Sequence, residues 1–96
     1  MAALLSDEAL KRERSSVPLW QHDAPTKIIS RTVKAGSFLQ GINWVRDVAS
    51  MAEAMNHHPD IDIRWRTITF VLSTHSAGGL TSLDFELARK IDGLVD

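Results

Sequence analysis

One change of hydrophobic period constrains this chain more than any other feature. From Ser37 to Met55 the apolar residues recur at helical spacing, whereas from Ile61 to Leu72 they alternate with polar ones. Phe38, Ile42, Val45, Ala49 and Ala52 form one helical row, and Trp44, Val48, Met51 and Met55 form a second beside it. Ser37 with Gln40 three residues on is a capping-box start. A stripe this wide can cover a sheet and also meet a second subunit. Beyond it, Ile61, Ile63 and Trp65 alternate with Asp62, Arg64 and Arg66, and Ile68, Phe70 and Leu72 alternate with Thr67, Thr69 and Val71. A long helix followed at once by amphipathic strand must share one core with it. No Asn-Gly or Gly-Gly marks a turn in the strand region, so a hairpin and one long strand both fit the pattern.

The junction between the two periods is Asn56-His57-His58-Pro59. Proline disfavours helical geometry in the residue before it, so the helix should stop near His57 and leave His58 extended. Elsewhere, Ser6 followed by Asp7 and Glu8 starts a short helix that should end before Val17-Pro18. Leu19-Trp20-Gln21 and Lys27 to Lys34 read as two strands around an Asp23-Ala24-Pro25 turn. Thr81 with Asp84, flanked by Leu80 and Phe85, starts a terminal helix whose apolar face is Leu83, Leu87, Ala88, Ile91, Leu94 and Val95. The order predicts an α+β fold, with a four-stranded, mainly antiparallel sheet and about three helices packed on one face.

Ninety-six residues fit a single domain spanning 1–96, small enough that oligomerisation would help its stability. Cysteine is absent, which removes disulfides, thiolate nucleophiles and sulfur-based zinc sites. Eleven basic and twelve acidic residues leave a net charge of −1, without the surplus that direct nucleic-acid binding relies on. Met1 to Leu5 is too short for a signal core and no apolar run approaches the ~20 residues of a membrane span. The expectation is a soluble cytoplasmic protein with no membrane contact.

Histidine carries the chemistry. With an ordinary pKa of about 6.5, it exchanges protons near neutrality, and three of the four here fall in two telling places. His57-His58 precede Pro59, and His75 ends a strand pattern that gives way to Ser76-Ala77-Gly78-Gly79. Glu53 lies one helical turn before His57, where a carboxylate can hold an imidazole tautomer. His22 has no such setting and reads as a surface residue. Pro59 makes the two neighbouring rings point differently, which argues against a shared metal, although zinc on three histidines is chemically conceivable. Without a convincing nucleophile, general acid–base work is the natural use of these rings.

The residues Glu53-x-x-x-His57-His58-Pro59, Ser73-Thr74-His75 and Gly79-Leu80-Thr81-x-x-Asp84 resemble the pterin-4a-carbinolamine dehydratases. The resemblance runs from Trp20, through Ile29-x-Arg31 and the Phe38 helix, to Leu87-Ala88-x-x-Ile91-Asp92. It implies an α+β fold with a hairpin, and dehydration of a 4a-hydroxytetrahydropterin to quinonoid dihydropterin and water, recycling the pterin of an aromatic amino acid hydroxylase. It implies no cofactor, the pterin being the substrate, and a dimer or tetramer. By position, His57 and His75 would be the acid–base pair, and His58 with Pro59 would line and orient the pterin. Glu53 would support the cluster electrostatically, while Ser73, Thr74 and Ser76 would make polar contacts to the ring. Trp20 and Asp84 match family positions near the site, with Trp20 also suited to the core and Asp84 to a helix cap. Asn56 and Ser76 stand where the family often has acids. An alternative implied by the same family is a non-catalytic module that serves as a dimerisation cofactor of a homeodomain transcription factor.

Overall fold

The computed structural model describes residues 2–96. Its elements are α1 (Asp7–Ser16), β1 (Gln21–Asp23), β2 (Ile28–Lys34), α2 (Phe38–Met55), β3 (Asp60–Arg64), β4 (Thr67–Leu72) and α3 (Ser82–Val95), with a 3₁₀ turn at His75–Ala77. The four strands form one sheet in the order β1-β2-β4-β3, and every neighbouring pair is antiparallel. Ile68, Phe70 and Leu72 of β4 are fully buried against the helices, together with Val48 of α2 and Phe85 and Leu87 of α3. The opposite sheet face carries Thr32 and Thr69, whose hydroxyls meet across the strands at 2.9 Å. The architecture is therefore the α+β sheet with helices on one side that the periodicities predict. Among the described residues, no helix is long and apolar enough to cross a membrane.

Two local features differ from the sequence expectation, and a third, the β3–β4 connection, settles an alternative that the pattern left open. The first strand starts at Gln21 instead of Leu19, because Trp20 N–H bonds back to the Val17 carbonyl at 3.0 Å and makes Val17 to Trp20 a turn. The β3–β4 connection is a hairpin with Arg64 opposite Thr67, although neither residue of the turn is glycine. Trp65 takes the left-handed conformation at φ 54°, a costly state for a bulky side chain. Arg66 stacks 4.4 Å above the Trp65 ring and donates from Nη1 to the Gly36 carbonyl at 3.1 Å, which ties the turn to the start of α2. Finally, Phe38 is half-exposed, so the first turn of α2 overhangs the sheet and leaves Phe38 and Leu39 uncovered.

The far end of α3 is locked to the sheet by charge. Arg31 of β2 is nearly buried and reaches Asp92 at 2.5 Å and Asp96 at 2.5 and 3.0 Å, while Trp20 Nε1 donates to Asp92 at 2.8 Å. The Asp96 hydrogen bond is the main influence raising the Arg31 pKa, with burial opposing it. In return, the guanidinium holds the Asp96 carboxyl below its usual 3.8.

Candidate active site

Helix α2 ends in a Schellman motif. Asn56 adopts φ 49°, its N–H bonds to Glu53 C=O at 3.2 Å, and His57 N–H bonds to Ala52 C=O at 3.0 Å. Asparagine tolerates this left-handed position better than any other non-glycine residue, and the reversal turns His57 back into the protein, where it is 7% exposed. His58 and Pro59 then lead into β3. Because Asp60 pairs with Val71, the residues before β3 and after β4 lie at one end of the hairpin, and continuing the register sets His57 opposite Thr74.

The start of α3 arrives at the same place. Thr81 and Asp84 form a reciprocal capping box: Thr81 Oγ1 accepts from Leu83 N–H at 3.3 Å and Asp84 Oδ2 accepts from Thr81 N–H at 2.9 Å. Asp84 has no solvent exposure, so every lone pair not bonded would be costly. Its second Oδ2 contact is the Thr74 hydroxyl at 2.8 Å, and its Oδ1 lies 2.6 Å from His57 Nε2. Thr74 and Thr81 hydroxyls are 2.8 Å apart. Counting donors fixes the order: the single Thr74 hydrogen goes to Asp84, so the Thr81 hydroxyl donates to Thr74. An acceptor-only carboxylate then needs a donor at Oδ1, so His57 carries its hydrogen on Nε2 and leaves Nδ1 without a partner among the described residues.

The expected site residues are therefore unequally placed. His57, Thr74 and Asp84 are joined by hydrogen bonds, and His75 follows Thr74 directly, beginning the 3₁₀ turn as an exposed residue beside exposed Ser76. The Thr74–Gly79 bridge, with Thr74 N–H on Gly79 C=O at 2.9 Å, closes that turn. Glu53 does not reach His57: its Oε1 lies 3.5 Å from Nε2 of His58, and both side chains are largely exposed. The helix reverses at Asn56, so the residue one turn after Glu53 is carried inward and the next ring takes its place beside the carboxylate. Ser73 Oγ donates to the Lys27 carbonyl at 2.9 Å, anchoring the strand end to the β1–β2 loop. Trp20 lies in the core and bonds Asp92, outside this network. Asp84 is a helix cap and also the partner of His57, a second role that the Thr81-x-x-Asp84 pattern alone does not reveal. Among the described residues, no three His, Cys, Asp or Glu side chains gather closely enough to hold a metal ion.

The arrangement can do proton chemistry on a small molecule. A buried imidazole with one nitrogen held by a carboxylate has a fixed ring orientation; exposed His58 is its neighbour in the chain, and exposed His75 follows Thr74, which shares Asp84 with it. The family model described as "Pterin 4 alpha carbinolamine dehydratase" matches residues 3–94. A Nocardia farcinica protein named "Putative pterin-4-alpha-carbinolamine dehydratase" is 56% identical over 91 residues, covering 95% of this chain and 94% of the relative. A namesake from Mycobacterium sp. strain JLS is 48% identical and covers 98% of each chain. Among solved structures, a Brucella melitensis protein described as a transcriptional coactivator/pterin dehydratase superposes with a TM-score of 0.91 at 26% identity, covering 96% of this chain and 98% of its own. A pterin dehydratase-like protein described as a RuBisCO assembly factor in the alpha-carboxysome shares the fold, with a TM-score of 0.68 at 18% identity and coverage of 79% and 88%. With its four-stranded sheet, its histidine pair at the α2–β3 junction and a match across nearly its whole length, the chain belongs to the pterin 4 alpha carbinolamine dehydratase family.

Proposed function

We propose that this protein dehydrates 4a-hydroxytetrahydropterin to quinonoid dihydropterin and water, and so returns the pterin used by an aromatic amino acid hydroxylase. The bond from C4a to its hydroxyl breaks, the N5–H proton is removed, and a C4a=N5 double bond forms. Hydroxide and proton together make the water released. His57 and His75 are the acid–base pair, one assisting departure of the hydroxyl from C4a and the other accepting the N5 proton. His58 and Pro59 orient the ring, with Glu53 beside His58 and Thr74 and Ser76 at the strand end. The observation that carries this reading is the His57–Asp84 hydrogen bond at 2.6 Å, which fixes one imidazole of the pair at the end of the hairpin where His75 lies. Glu53 and Asp84 act as positioning residues, and no cofactor takes part in this scheme.

The test is to generate the 4a-carbinolamine and follow its decay by ultraviolet absorbance. The protein should accelerate the decay, and the His57→Ala, His75→Ala double variant should not. No acceleration by the wild type, or equal acceleration by the double variant, refutes the proposal. Self-association as a dimer or tetramer belongs to the same reading, supported by the exposed apolar side chains of Phe38, Leu39, Ile63 and Trp65. A second reading, a non-catalytic interaction module, draws support from the coactivator description of the Brucella melitensis relative and from the same exposed residues. It predicts partner capture that survives the histidine substitutions.

A further inference from the structure

Away from the His57–Asp84 network, the N-terminal segment crosses the turn that follows β4 and encloses a solvent-open cleft of about 340 Å³ between itself, α1 and the β1–β2 loop. Leu5 N–H donates to the Leu80 carbonyl at 3.1 Å and fixes the crossing. The apolar lining is Leu4, Leu5, Leu10 and Leu80, and the polar residues facing the cleft are Asp7, His22 and Lys27. Gly79 sets the closeness of the wall: a Cβ there would stand 2.9 Å from Leu4 Cδ2 and 3.6 Å from Lys27 Cδ.

Lys27 is the unusual member. Its backbone lies in the left-handed region at φ 58°, a state that costs a non-glycine residue roughly 1 kcal/mol or more. Hydrogen bonds hold it there from both sides, Lys27 N–H to the Asp23 carbonyl at 2.8 Å and Ser73 Oγ to the Lys27 carbonyl at 2.9 Å. Glycine or asparagine would occupy the position with less strain. A lysine there instead lays its stem along the cleft wall, and among the described residues its amine has no carboxylate partner. The imidazole of His22, half-buried in β1, also has no hydrogen-bond partner among them. The function proposed above uses neither group.

We propose that this cleft binds a small amphipathic monoanion, an apolar ring or chain bearing one carboxylate. Lys27 and His22 supply a charge contact and an N–H donor for the carboxylate, and the leucines take the apolar body. One acid, Asp7, faces the same cleft and balances the single lysine, which disfavours a dianion and leaves most of the affinity to apolar area. The site stands apart from the dehydratase reading and does not depend on it.

The test is a ¹⁵N-correlated NMR titration of the full chain with 1-naphthylacetate as probe. Saturable shifts are expected at Gly78, Gly79, Leu80 and His22, with a Kd on the order of 1 mM or tighter for a ligand of that size. The neutral 1-naphthylacetamide should bind about fivefold more weakly, the Lys27→Met variant should lose a similar factor for the acid, and acetate should produce no saturable shift. Absence of saturation at several times that concentration overturns the proposal. So do shifts confined to His58 and His75, or equal affinity for the acid and the amide in both wild type and Lys27→Met.

Discussion

Replacing Asp84 by asparagine probes the site at its most constrained point. The carboxylate accepts on both oxygens, from His57 on Oδ1 and from Thr74 and the Thr81 N–H on Oδ2. Asparagine offers one acceptor oxygen and one NH₂ group. The Thr81 N–H is a fixed backbone donor, so the amide oxygen must face it, and the NH₂ group then faces His57 Nε2. Two donors cannot meet at 2.6 Å, so His57 must move its hydrogen to Nδ1 and accept at Nε2. The variant keeps its helix cap and exchanges a charge-assisted bond for a neutral one, at a cost of about 1–3 kcal/mol. For a domain of this size that lowers Tm by roughly 4–8 °C per kcal/mol. For the proposed dehydration the effect is larger in proportion, because Nδ1 then carries a hydrogen where the wild-type ring offers a lone pair. Dehydration should slow by a factor of about 10²–10⁴. The deciding assay is the ¹⁵N shift pattern of the His57 ring: a protonated Nε2 and bare Nδ1 in the wild type, reversed in Asp84→Asn. A wild-type ring protonated on Nδ1 alone, or a variant with an unchanged tautomer, would show that Asp84 does not set the His57 tautomer.

Other perturbations separate the supports of the site from those of the fold. Asn56→Ala should cost about 1 kcal/mol, because alanine resists the left-handed conformation at φ 49°, whereas Asn56→Gly should be neutral or slightly stabilising; urea denaturation distinguishes the two. Phe70→Ala empties a fully buried position on β4 and should cost about 3–5 kcal/mol, a large share of a small domain's stability and visible as a lower denaturation midpoint. The Arg31–Asp96 pair gives a pH signature. Asp96 has its folded pKa depressed by the guanidinium, so its contribution is present above the ordinary value of 3.8 and is lost as pH falls through the lower folded value. Asp96→Asn should therefore be less stable than wild type at pH 7, with the gap in denaturation midpoint closing well below pH 3.8.

Much of the fold is legible in the sequence because its signals are periodic. The helical period of α2, the alternation of Ile68, Phe70 and Leu72, and the Thr81–Asp84 box each follow from local spacing; of the two rows on α2, Trp44, Val48, Met51 and Met55 pack on the core with Val45 and Ala52, while Phe38 and Ala49 stay exposed. What escapes the sequence depends on contacts between distant residues or on unusual turns. The β3–β4 turn uses Trp65 and Arg66 where glycine would normally signal it, and its support comes from Gly36, thirty residues earlier. Trp20 is drawn into a turn and onto Asp92, which shortens the strand expected around it. In the site, helical spacing points to Glu53 as the partner of His57, but that spacing holds only while the helix continues. Asn56 reverses the chain one residue too early, and the carboxylate that meets His57 comes from Asp84, twenty-seven residues away. The sequence shows Asp84 only as the acid of a capping box, and the donor on its second oxygen follows from the tertiary fold.

A crystal structure with bound 7,8-dihydrobiopterin decides whether His57 and His75 act together on one pterin. The pterin ring should lie between the two imidazoles. One ring nitrogen should lie within roughly 2.6–3.2 Å of N5, and a nitrogen of the other histidine should reach the place a C4a hydroxyl occupies. A pterin bound away from the α2–β3 junction, or one touched by only one of the two histidines, would contradict their joint action.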